Sequence, residues 1–293
     1  MDIKINKHTD NYINFNIKGK DVNFSLVNAI RRVLLQEIPL YKIDNIKIDK
    51  NTTCYPNDYL SERLEQYDDV LKSKENYIDE NNEYKYEKQD IYINIKNDSS
   101  DIMNVTSDNI DVYIDDKQIK NPYKEKVLLV KLKKDQELIL KGEYILGKGM
   151  YHGKYTGIKV DLYEEVNENS YNFAYKSLCM LSTKELLSKA INIIIKKLEN
   201  IEILVGQKYN NSTLNNLEKI EIILEDETHT MGNLITSKLQ QKVQAGYMMN
   251  DFVEQVDERN VKIKIDSKNP MKILFDSIKE LKVIFNNIKN KIK

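Results

Sequence analysis

Residues 23–38 read NFSLVNAIRRVLLQEI, and this stretch decides the first part of the fold. Apolar residues recur three and four positions apart, which predicts an amphipathic helix with one broad buried stripe. Asn23 is suited to cap the start of this helix, and Pro39 is suited to end it. The stripe is formed by Leu26, Val27, Ile30, Val33 and Leu34. A stripe of this width needs another apolar surface to cover it.

A shorter copy of this pattern lies near the other end of the chain. The sequence MGNLI at 231–235 aligns with LVNAI at 26–30. Each stretch follows a predicted strand and opens a predicted helix, and each is followed by a strand and then a longer helix. We therefore predict an internal duplication whose halves pair about a pseudo-twofold axis, the alternative being chance similarity between two amphipathic helices. The predicted internal interface contains Leu26, Ile30, Leu34, Leu234, Ile235, Leu274, Ile278, Leu281 and Phe285.

The remaining patterns predict an α+β fold. Residues 2–6 and 12–17 alternate with period two, as strands with one solvated face do. Ser182 and Glu185 form a capping box that opens a helix ending near Leu198. The segment 229–243 is predicted to be helical, and Asn269-Pro270 starts the final helix.

The domain organisation follows from these elements. A loop-rich insertion with one clear strand at 91–95 occupies 66–124, and further strands are predicted at 127–132, 138–144 and 158–163. The predicted boundaries are 1–50 and 158–200 for a first module, 51–157 for an inserted mostly-β subdomain, 201–217 for a linker, and 218–293 for a second module.

Composition excludes several classes of protein. Lys and Arg number 45 against 46 Asp and Glu, a balance that argues against a dedicated nucleic-acid coat. Two cysteines and three scattered histidines exclude a disulfide framework and a four-cysteine metal site. No apolar run approaches the roughly 20 residues that span a bilayer, and the N-terminus has no signal-peptide core. We expect no cofactor, no metal and no membrane contact, in a reducing intracellular space.

Five stretches resemble the alpha subunit of RNA polymerase and its eukaryotic and archaeal counterparts. Residues 24–39 resemble the family's alpha motif, and 57–64 resemble its acidic stretch ending in His-Arg-Leu. Residues 147–155, GKGMYHGKY, resemble its Gly-x-Gly-x-x-His-x-Lys-Trp block. Residues 224–234 and 245–247 resemble the smaller alpha-like subunit. Because the five matches occur in the family's order, the chain resembles a fusion of the two alpha-like subunits, an arrangement found in large DNA viruses of eukaryotes.

Several positions depart from the family pattern. The Gly-Leu-Ile-Pro that usually follows His-Arg-Leu is missing after Leu64, which indicates a remodelled insertion. Lys176 stands where the family favours Glu, and Cys179 stands where Gly is common. The cysteine clusters that hold zinc or an iron–sulfur cluster in some relatives are absent.

The resemblance implies a non-catalytic assembly subunit of a DNA-directed RNA polymerase. Its two alpha-like dimerisation modules would form an internal pseudo-dimer that docks the second-largest and largest subunits, and also small assembly subunits. Contact with nucleic acid would be indirect, through the complex. The implied location is host cytoplasm, viral factory and virion for a viral protein, and nucleus for a cellular one.

Two groups of residues are expected to bind partners. The first comprises Asn28, Arg31, Arg32 and Leu35, and the second comprises Gly147, Lys148, Gly149, His152 and Lys154. Asn28 and Arg32 lie four positions apart and hence one above the other on the helix. Thr236 and Ser237 occupy the corresponding positions in the second half, so only the first half can make the arginine contact.

Plainer interpretations exist for each group. The arginines can be a solvated pair, and His152 can be an ordinary hydrogen-bonded residue. The glycines do not form a P-loop, and they suit a close backbone approach or a positive φ. His229 fits a capping region in which Thr228 and Thr230 meet free backbone N–H groups. The alternative functions are a free-standing dimerisation or virion structural protein and an unrecognised enzyme.

Overall fold

The computed structural model describes residues 1–67, 89–123, 126–179, 181–209, 218–249 and 260–292. The helices are α1 Phe24–Gln36, α2 Asn57–Glu65, α3 Thr183–Tyr209, α4 His229–Leu239 and α5 Pro270–Ile292. The first strands are β1 Asp2–Thr9, β2 Tyr12–Lys18, β3 Pro39–Asn51, β4 Gln89–Lys96, β5 Met103–Thr106, β6 Asp111–Ile114 and β7 Lys117–Ile119. The later strands are β8 Leu128–Leu132, β9 Glu137–Lys148, β10 Ile158–Asn167, β11 Ser170–Ser177, β12 Lys219–Glu225, β13 Gln244–Met249 and β14 Asn260–Asp266.

These elements form two compact units. The first contains residues 1–38, 158–177 and 182–293, and the second contains 39–157 and 178–181. The insertion was predicted to begin at residue 51, whereas the second unit begins at Pro39. The reason is that β3 pairs antiparallel with β9, from Pro39 opposite Lys148 to Asn51 opposite Leu138.

The first unit contains both halves of the predicted duplication. One sheet has the strand order β1-β2-β11-β10 and the other has the order β12-β14-β13, and every pairing is antiparallel. Helix α1 packs on α4, and α3 packs on α5. Residues 218–292 therefore belong to the same compact unit as the first half and form no separate unit.

The two halves correspond residue by residue along their long helices. At one constant spacing, the buried stripe of α3 matches that of α5. The pairs are Leu187 with Leu274, Ile191 with Ile278, Ile194 with Leu281, Leu198 with Phe285, Ile201 with Ile288 and Val205 with Ile292, and all twelve residues are buried. The first helices also match, since Asn23 caps α1 and Thr228 caps α4.

The second unit is built on a five-stranded sheet with the order β3-β9-β4-β6-β7. A two-stranded sheet of β5 and β8 and the short helix α2 pack with it around a shared apolar core. The predicted strand at 91–95 is confirmed as part of β4. The prediction of loops elsewhere in 66–124 is wrong for β5, β6 and β7, because strands of three or four residues give little periodic signal. Residues 68–88 and 124–125 lie outside the described residues.

Helix α3 is longer than its sequence pattern predicts. The predicted capping box is confirmed: the Glu185 carboxylate accepts from the Ser182 N–H at 2.8 Å, and the Ser182 hydroxyl accepts from the Glu185 N–H at 3.3 Å. The predicted end near Leu198 is wrong, because Ile201 and Val205 continue the buried stripe. The remainder of the predicted linker, 210–217, lies outside the described residues.

Candidate subunit-docking surface and internal interface

The internal interface of the first unit is built from the four longer helices. Contacts join α1 to α4, α3 to α5, α1 to α3 and α4 to α5. All nine residues predicted for this interface are buried: Leu26, Ile30, Leu34, Leu234, Ile235, Leu274, Ile278, Leu281 and Phe285. Fully burying an aliphatic or phenyl side chain contributes about 1.5–3 kcal/mol, so packing of this kind is the main force that holds the halves together.

A half-buried lysine joins the two halves at one end of the α1–α4 pair. Lys197 on α3 donates to Glu37, the C-cap of α1, at 2.8 Å and to Glu227 at 3.1 Å. Glu227 directly precedes Thr228, the N-cap of α4. One ammonium group therefore ties the end of the first-half helix to the beginning of the second-half helix.

Burial and charge shift the pKa values in this cluster. Burial alone would lower the pKa of Lys197, but Glu227 and Glu37 raise it above its usual value. Burial raises the pKa of Glu227, and Lys197 only partly offsets that rise, since Glu37 adds like-charge repulsion. Two carboxylates thus share one cation, so this cluster tolerates loss of a glutamate charge better than loss of the lysine.

A second set of ion pairs lies at the other end of the helix pair. Lys238, in the last turn of α4, contacts Asp21 at 3.4 Å and Glu280 of α5 at 3.0 Å. Lys242 contacts the same Glu280 at 2.8 Å. Asp21 stands just before α1, so this set also connects the first half with the second.

The outer face of α1 holds the first group of predicted partner-binding residues. Arg31 donates from Nε and a terminal nitrogen to the Asn28 side-chain oxygen, at 3.0 and 2.8 Å. Within the described part of the chain, the one hydrogen bond of the Arg32 side chain is a long 3.5 Å contact with Gln36. Asn28 therefore pairs with Arg31 and not with Arg32, the residue that helical spacing places above it. Leu35 is half-buried beside them.

Strand β10 completes this face. The Arg31 guanidinium lies 5.6 Å from the ring centroid of Tyr163, and Phe24 packs edge-on against the same ring at 6.2 Å. Burial raises the pKa of Tyr163 to about 12, and its buried hydroxyl has no hydrogen-bond partner among the described residues. Phe24 is 49% exposed. We call the surface formed by Phe24, Asn28, Arg31, Arg32, Leu35 and Tyr163 the α1 face.

The described residues of the second half present no equivalent of the α1 face at the aligned positions. Thr236, which aligns with Arg31, is buried. Ser237, which aligns with Arg32, accepts a 2.8 Å hydrogen bond from Asn23 of the first half. Both side chains therefore point into the first unit. The two halves thus differ at the positions that Arg31 and Arg32 occupy in the first half.

The glycines of the second predicted group lie in the second unit. A Cβ atom at Gly147 would come within 2.5 Å of the Tyr155 ring, so the absence of a side chain allows this close approach. Lys148 ends β9, and Gly149 begins the turn that follows. The predicted alternative of a positive φ does not hold, since Gly19 is the only described glycine with one.

Lys154, which was expected to bind a partner, instead forms ion pairs inside the second unit. Its side chain is 7% exposed and contacts Asp44 at 2.7 Å and Glu65 at 3.2 Å. Burial alone would raise the pKa of Asp44, but the hydrogen bond from Lys154 lowers it below its usual value. His152 is exposed, and its Nδ1 accepts from the Lys154 N–H at 3.2 Å. The chain forms a 3₁₀ turn at Gly153–Tyr155, where the His152 side chain is exposed and the Lys154 side chain is not.

His229 lies where the sequence predicted a helix cap. Thr228 caps α4, with its hydroxyl accepting from the Thr230 N–H at 3.4 Å, and the His229 ring packs edge-on against Tyr247. Across the described ranges, no group of three or more His, Cys, Asp or Glu side chains could hold a metal ion. None of the helices in the described ranges has the length and hydropathy of a membrane span.

Sequence reasoning did not identify three residues that hold the interface and the α1 face together, namely Lys197, Lys238 and Tyr163. Lys197 and Lys238 lie next to buried apolar positions of their helices, and a lysine beside an apolar stripe is a signal that could have indicated a buried ion pair. Tyr163 had no such signal. Its place beside Arg31 depends on a strand that lies far from α1 in sequence.

Two family models match the chain. The description "RNA polymerase Rpb3/Rpb11 dimerisation domain" belongs to both, and the matches cover residues 15–198 and 219–291. The chain thus carries two domains of this type. Apart from residues 39–157 and 178–181 of the first match, which form the second unit, both matches lie in the first compact unit.

Individual relatives agree with these models. The chain is 27% identical over 283 residues to an Acanthamoeba polyphaga mimivirus protein whose name is that of a DNA-directed RNA polymerase subunit, covering 82% of this chain and 78% of the relative. It is 26% identical to the polymerase subunit Rpo3 of Methanocaldococcus jannaschii, covering 64% and 86%. A subunit 3 of the Arabidopsis thaliana polymerases II, IV and V is 36% identical over 62 residues, covering 21% and 19%.

Proposed function

The chain belongs to the RNA polymerase Rpb3/Rpb11 dimerisation family, and we propose that it is the non-catalytic assembly subunit that docks the two largest subunits of a DNA-directed RNA polymerase. Its relatives carry the names of polymerase subunits, so its partners are other polymerase subunits. The alignment with Rpo3 of M. jannaschii covers 86% of that subunit but 64% of this chain. The fused chain would supply both alpha-like modules at once.

The α1 face supports the docking part of this proposal. It combines an exposed aromatic ring, an apolar residue and two arginines, a composition that is enriched at protein interfaces. Asn28 and Tyr163 hold Arg31 in place, so little side-chain freedom is lost on binding. Arg32 is the less restrained of the two, so it can fork onto a partner's carboxylate or carbonyl groups.

The asymmetry of the halves supports a single orientation of docking. Because Thr236 and Ser237 are directed into the unit, the positions of the second half that align with Arg31 and Arg32 present no arginine to compete with the α1 face. We propose that the second-largest subunit binds the α1 face and that the largest subunit binds elsewhere on the assembled pseudo-dimer. The second-group residue His152 is exposed and stays a proposed contact, whereas Lys154 has a structural role.

Replacing Arg32 by alanine tests the docking face. Arg32→Ala should leave the melting temperature within a few degrees, since surface substitutions change stability by about 0.5 kcal/mol or less. It should weaken capture of the second-largest subunit by about thirty-fold, because losing a forked arginine leaves buried acceptors of the partner unpaired, at about 2–5 kcal/mol. Pull-down of co-expressed second-largest subunit measures the effect.

The control removes a cation elsewhere on the same unit. Lys196 is exposed on α3, so Lys196→Ala removes the same charge without touching the α1 face. Thr236→Ala is unsuitable, because Thr236 is buried. Equal capture by wild type, Arg32→Ala and Lys196→Ala would mean that the α1 face is only solvated. Purification of the native complex without any polymerase subunit would instead favour the free-standing dimerisation protein.

A further inference from the structure

A glycine lies on the exposed face of the second-half sheet, in the middle of β13. This residue is Gly246, and the next residue, Tyr247, faces helix α4, since a Cβ atom on Gly232 of that helix would come within 2.7 Å of the Tyr247 ring. Successive residues of a strand point to opposite faces, so Gly246 faces away from the helices. Gln244 and Met248 share this outward face, and both are exposed.

Glycine is an unfavourable residue for the middle of a strand. It loses more backbone freedom on folding than other residues and has no side chain to pack. A positive φ does not explain Gly246, because Gly19 is the only described glycine with one. A bulge does not explain it either, since the register between β13 and β14 shows no shift. Crowding is also excluded, because a Cβ atom on Gly246 would meet no heavy atom of the described residues within 4 Å.

A groove of about 470 Å³ passes over Gly246. All three strands of the sheet line it, with residues 219–221 of β12, 244–246 of β13 and 264–266 of β14. Gly147 and Gly232 differ from Gly246 in this respect, because a Cβ atom on either would come within 2.7 Å of a tyrosine ring of the same chain. Those two glycines make room for a neighbour inside the protein, whereas Gly246 leaves room on its outside.

We propose that an extended, acidic segment of another polymerase subunit crosses this face of the sheet, with its backbone lying over Gly246. The inference rests on the proposed function for the identity of the partner. Two stacked sheets lie about 10 Å apart, because side chains fill the space between them. A backbone can come nearer over a glycine, and a glycine inside a strand often marks such a close approach.

The charges beside Gly246 favour an acidic segment. Lys264 of β14 lies directly opposite Gly246, and its side chain is 60% exposed. Lys262 and Lys264 contact the same carboxylate, that of Glu221, at 2.7 and 3.3 Å. Two ammonium groups thus share one carboxylate, and an aspartate or glutamate of the segment would supply a second. Met248, which is 49% exposed on the same face, offers an apolar contact beside them.

Gly246→Val tests the proposal and separates binding from folding. Valine is a good strand former and its side chain enters open space, so the melting temperature should stay at or above the wild-type value. The same side chain fills the groove, so retention of one subunit in the complex purified through this chain should fall about ten-fold or more. Lys4→Val puts a valine at an exposed position of β1 and should retain every subunit. Equal retention by wild type and Gly246→Val, or a lowered melting temperature of Gly246→Val, would overturn the proposal.

Site-directed crosslinking in the same complex identifies the segment. Benzoylphenylalanine is placed at position 244, which lines the groove, and a control is placed at position 283 on α5, where Val283 is 59% exposed. After irradiation, we expect position 244 to crosslink to one stretch of another subunit that contains Asp or Glu. Position 283 should not reach that stretch. Crosslinks from position 244 that stay within the chain, or that reach a second copy of it or nucleic acid, would overturn the proposal.

A charge substitution gives an independent measurement. Lys264→Gln should lower retention of the crosslinked subunit about three-fold or more, because it removes the cation opposite Gly246. Lys4→Gln removes an exposed cation from the other sheet of the first unit and should not lower it. Equal retention by these two variants would overturn the inference while leaving the proposed function intact. Absence of every polymerase subunit from the wild-type preparation would overturn the proposed function itself.

Discussion

Two lysines show how single residues stabilise this protein. Lys197 in the first unit and Lys154 in the second each lie between two carboxylates and are largely shielded from water. A buried charge is costly unless it is paired, so each lysine requires its acidic partners and each pair of acids requires its lysine. At Lys197 the partners come from both halves of the duplication, which makes this residue a link between them.

Replacing Lys197 by methionine should give a stability defect that depends on pH. Glu37 and Glu227 would then face each other without a cation. Burial already raises the pKa of Glu227, and without Lys197 to offset that rise it would lie further above the value in the unfolded chain. A carboxyl group with a raised folded pKa favours folding at low pH, and that contribution is lost as pH rises through the folded value. Lys197→Met should therefore cost about 3–5 kcal/mol at pH 7 to 8 and clearly less at pH 5.

Thermal melting between pH 5 and pH 8 measures this effect. Lys196→Met, at the exposed neighbouring position, controls for the loss of one positive charge and should show no such trend. A Lys197→Met defect of the same size at every pH would contradict the shared-cation interpretation.

Helix α3 extends to Tyr209, beyond the end near Leu198 that the sequence pattern predicts. Its last turns contain Gly206 and Gln207 and lead into an asparagine-rich stretch, a composition typical of a linker. The structure nevertheless continues the helix, because Ile201 and Val205 are buried in the first unit, as their counterparts on α5 are. Tertiary packing outweighs local propensity here, as it commonly does in helices.

A matched pair of alanine substitutions tests the extended helix. Ile201→Ala should destabilise the protein by about 2–5 kcal/mol, since it removes a buried aliphatic side chain and leaves a cavity. Ile203→Ala should change stability by about 0.5 kcal/mol or less, because Ile203 is largely exposed two residues away. Chemical denaturation of both variants measures the difference, and similar effects at the two positions would show that the helix does not continue past Leu198.

The whole molecule depends on the pairing of two halves in one chain. The apolar stripes of α3 and α5 are too large to remain in water, and α3 packs on α5 within one unit. Ion pairs at Lys197, Lys238 and Lys282 each connect an element of one half with the other half. Covalent linkage makes pairing within the chain strongly favoured, because the effective concentration of the partner half is in the millimolar range or above.

Zero-length crosslinking tests intramolecular pairing. Lys282 of α5 contacts Glu202 of α3, and both side chains are partly accessible, so a carbodiimide should join them. Light and isotopically heavy protein are unfolded, mixed and refolded together before crosslinking. We expect only light–light and heavy–heavy crosslinked peptides by mass spectrometry. A statistical share of mixed light–heavy peptides would mean that the halves pair between chains.

The sequence by itself determined the features that depend on residues close together in the chain. Helix stripes, the Asn23 cap, the Ser182 capping box and the order of elements in the two halves could all be predicted, because each depends on residues a few positions apart. The buried state of the predicted internal interface followed from the same periodicity.

Only the tertiary structure decided where charged and aromatic side chains meet. The second unit begins at Pro39 because β3 pairs with the distant β9, and Lys154 is buried because Asp44 and Glu65 approach it from elements far away in sequence. Arg31 meets Tyr163 for the same reason. Periodicity reports which side of an element is buried, whereas the partner of a given side chain depends on long-range packing that no local pattern encodes.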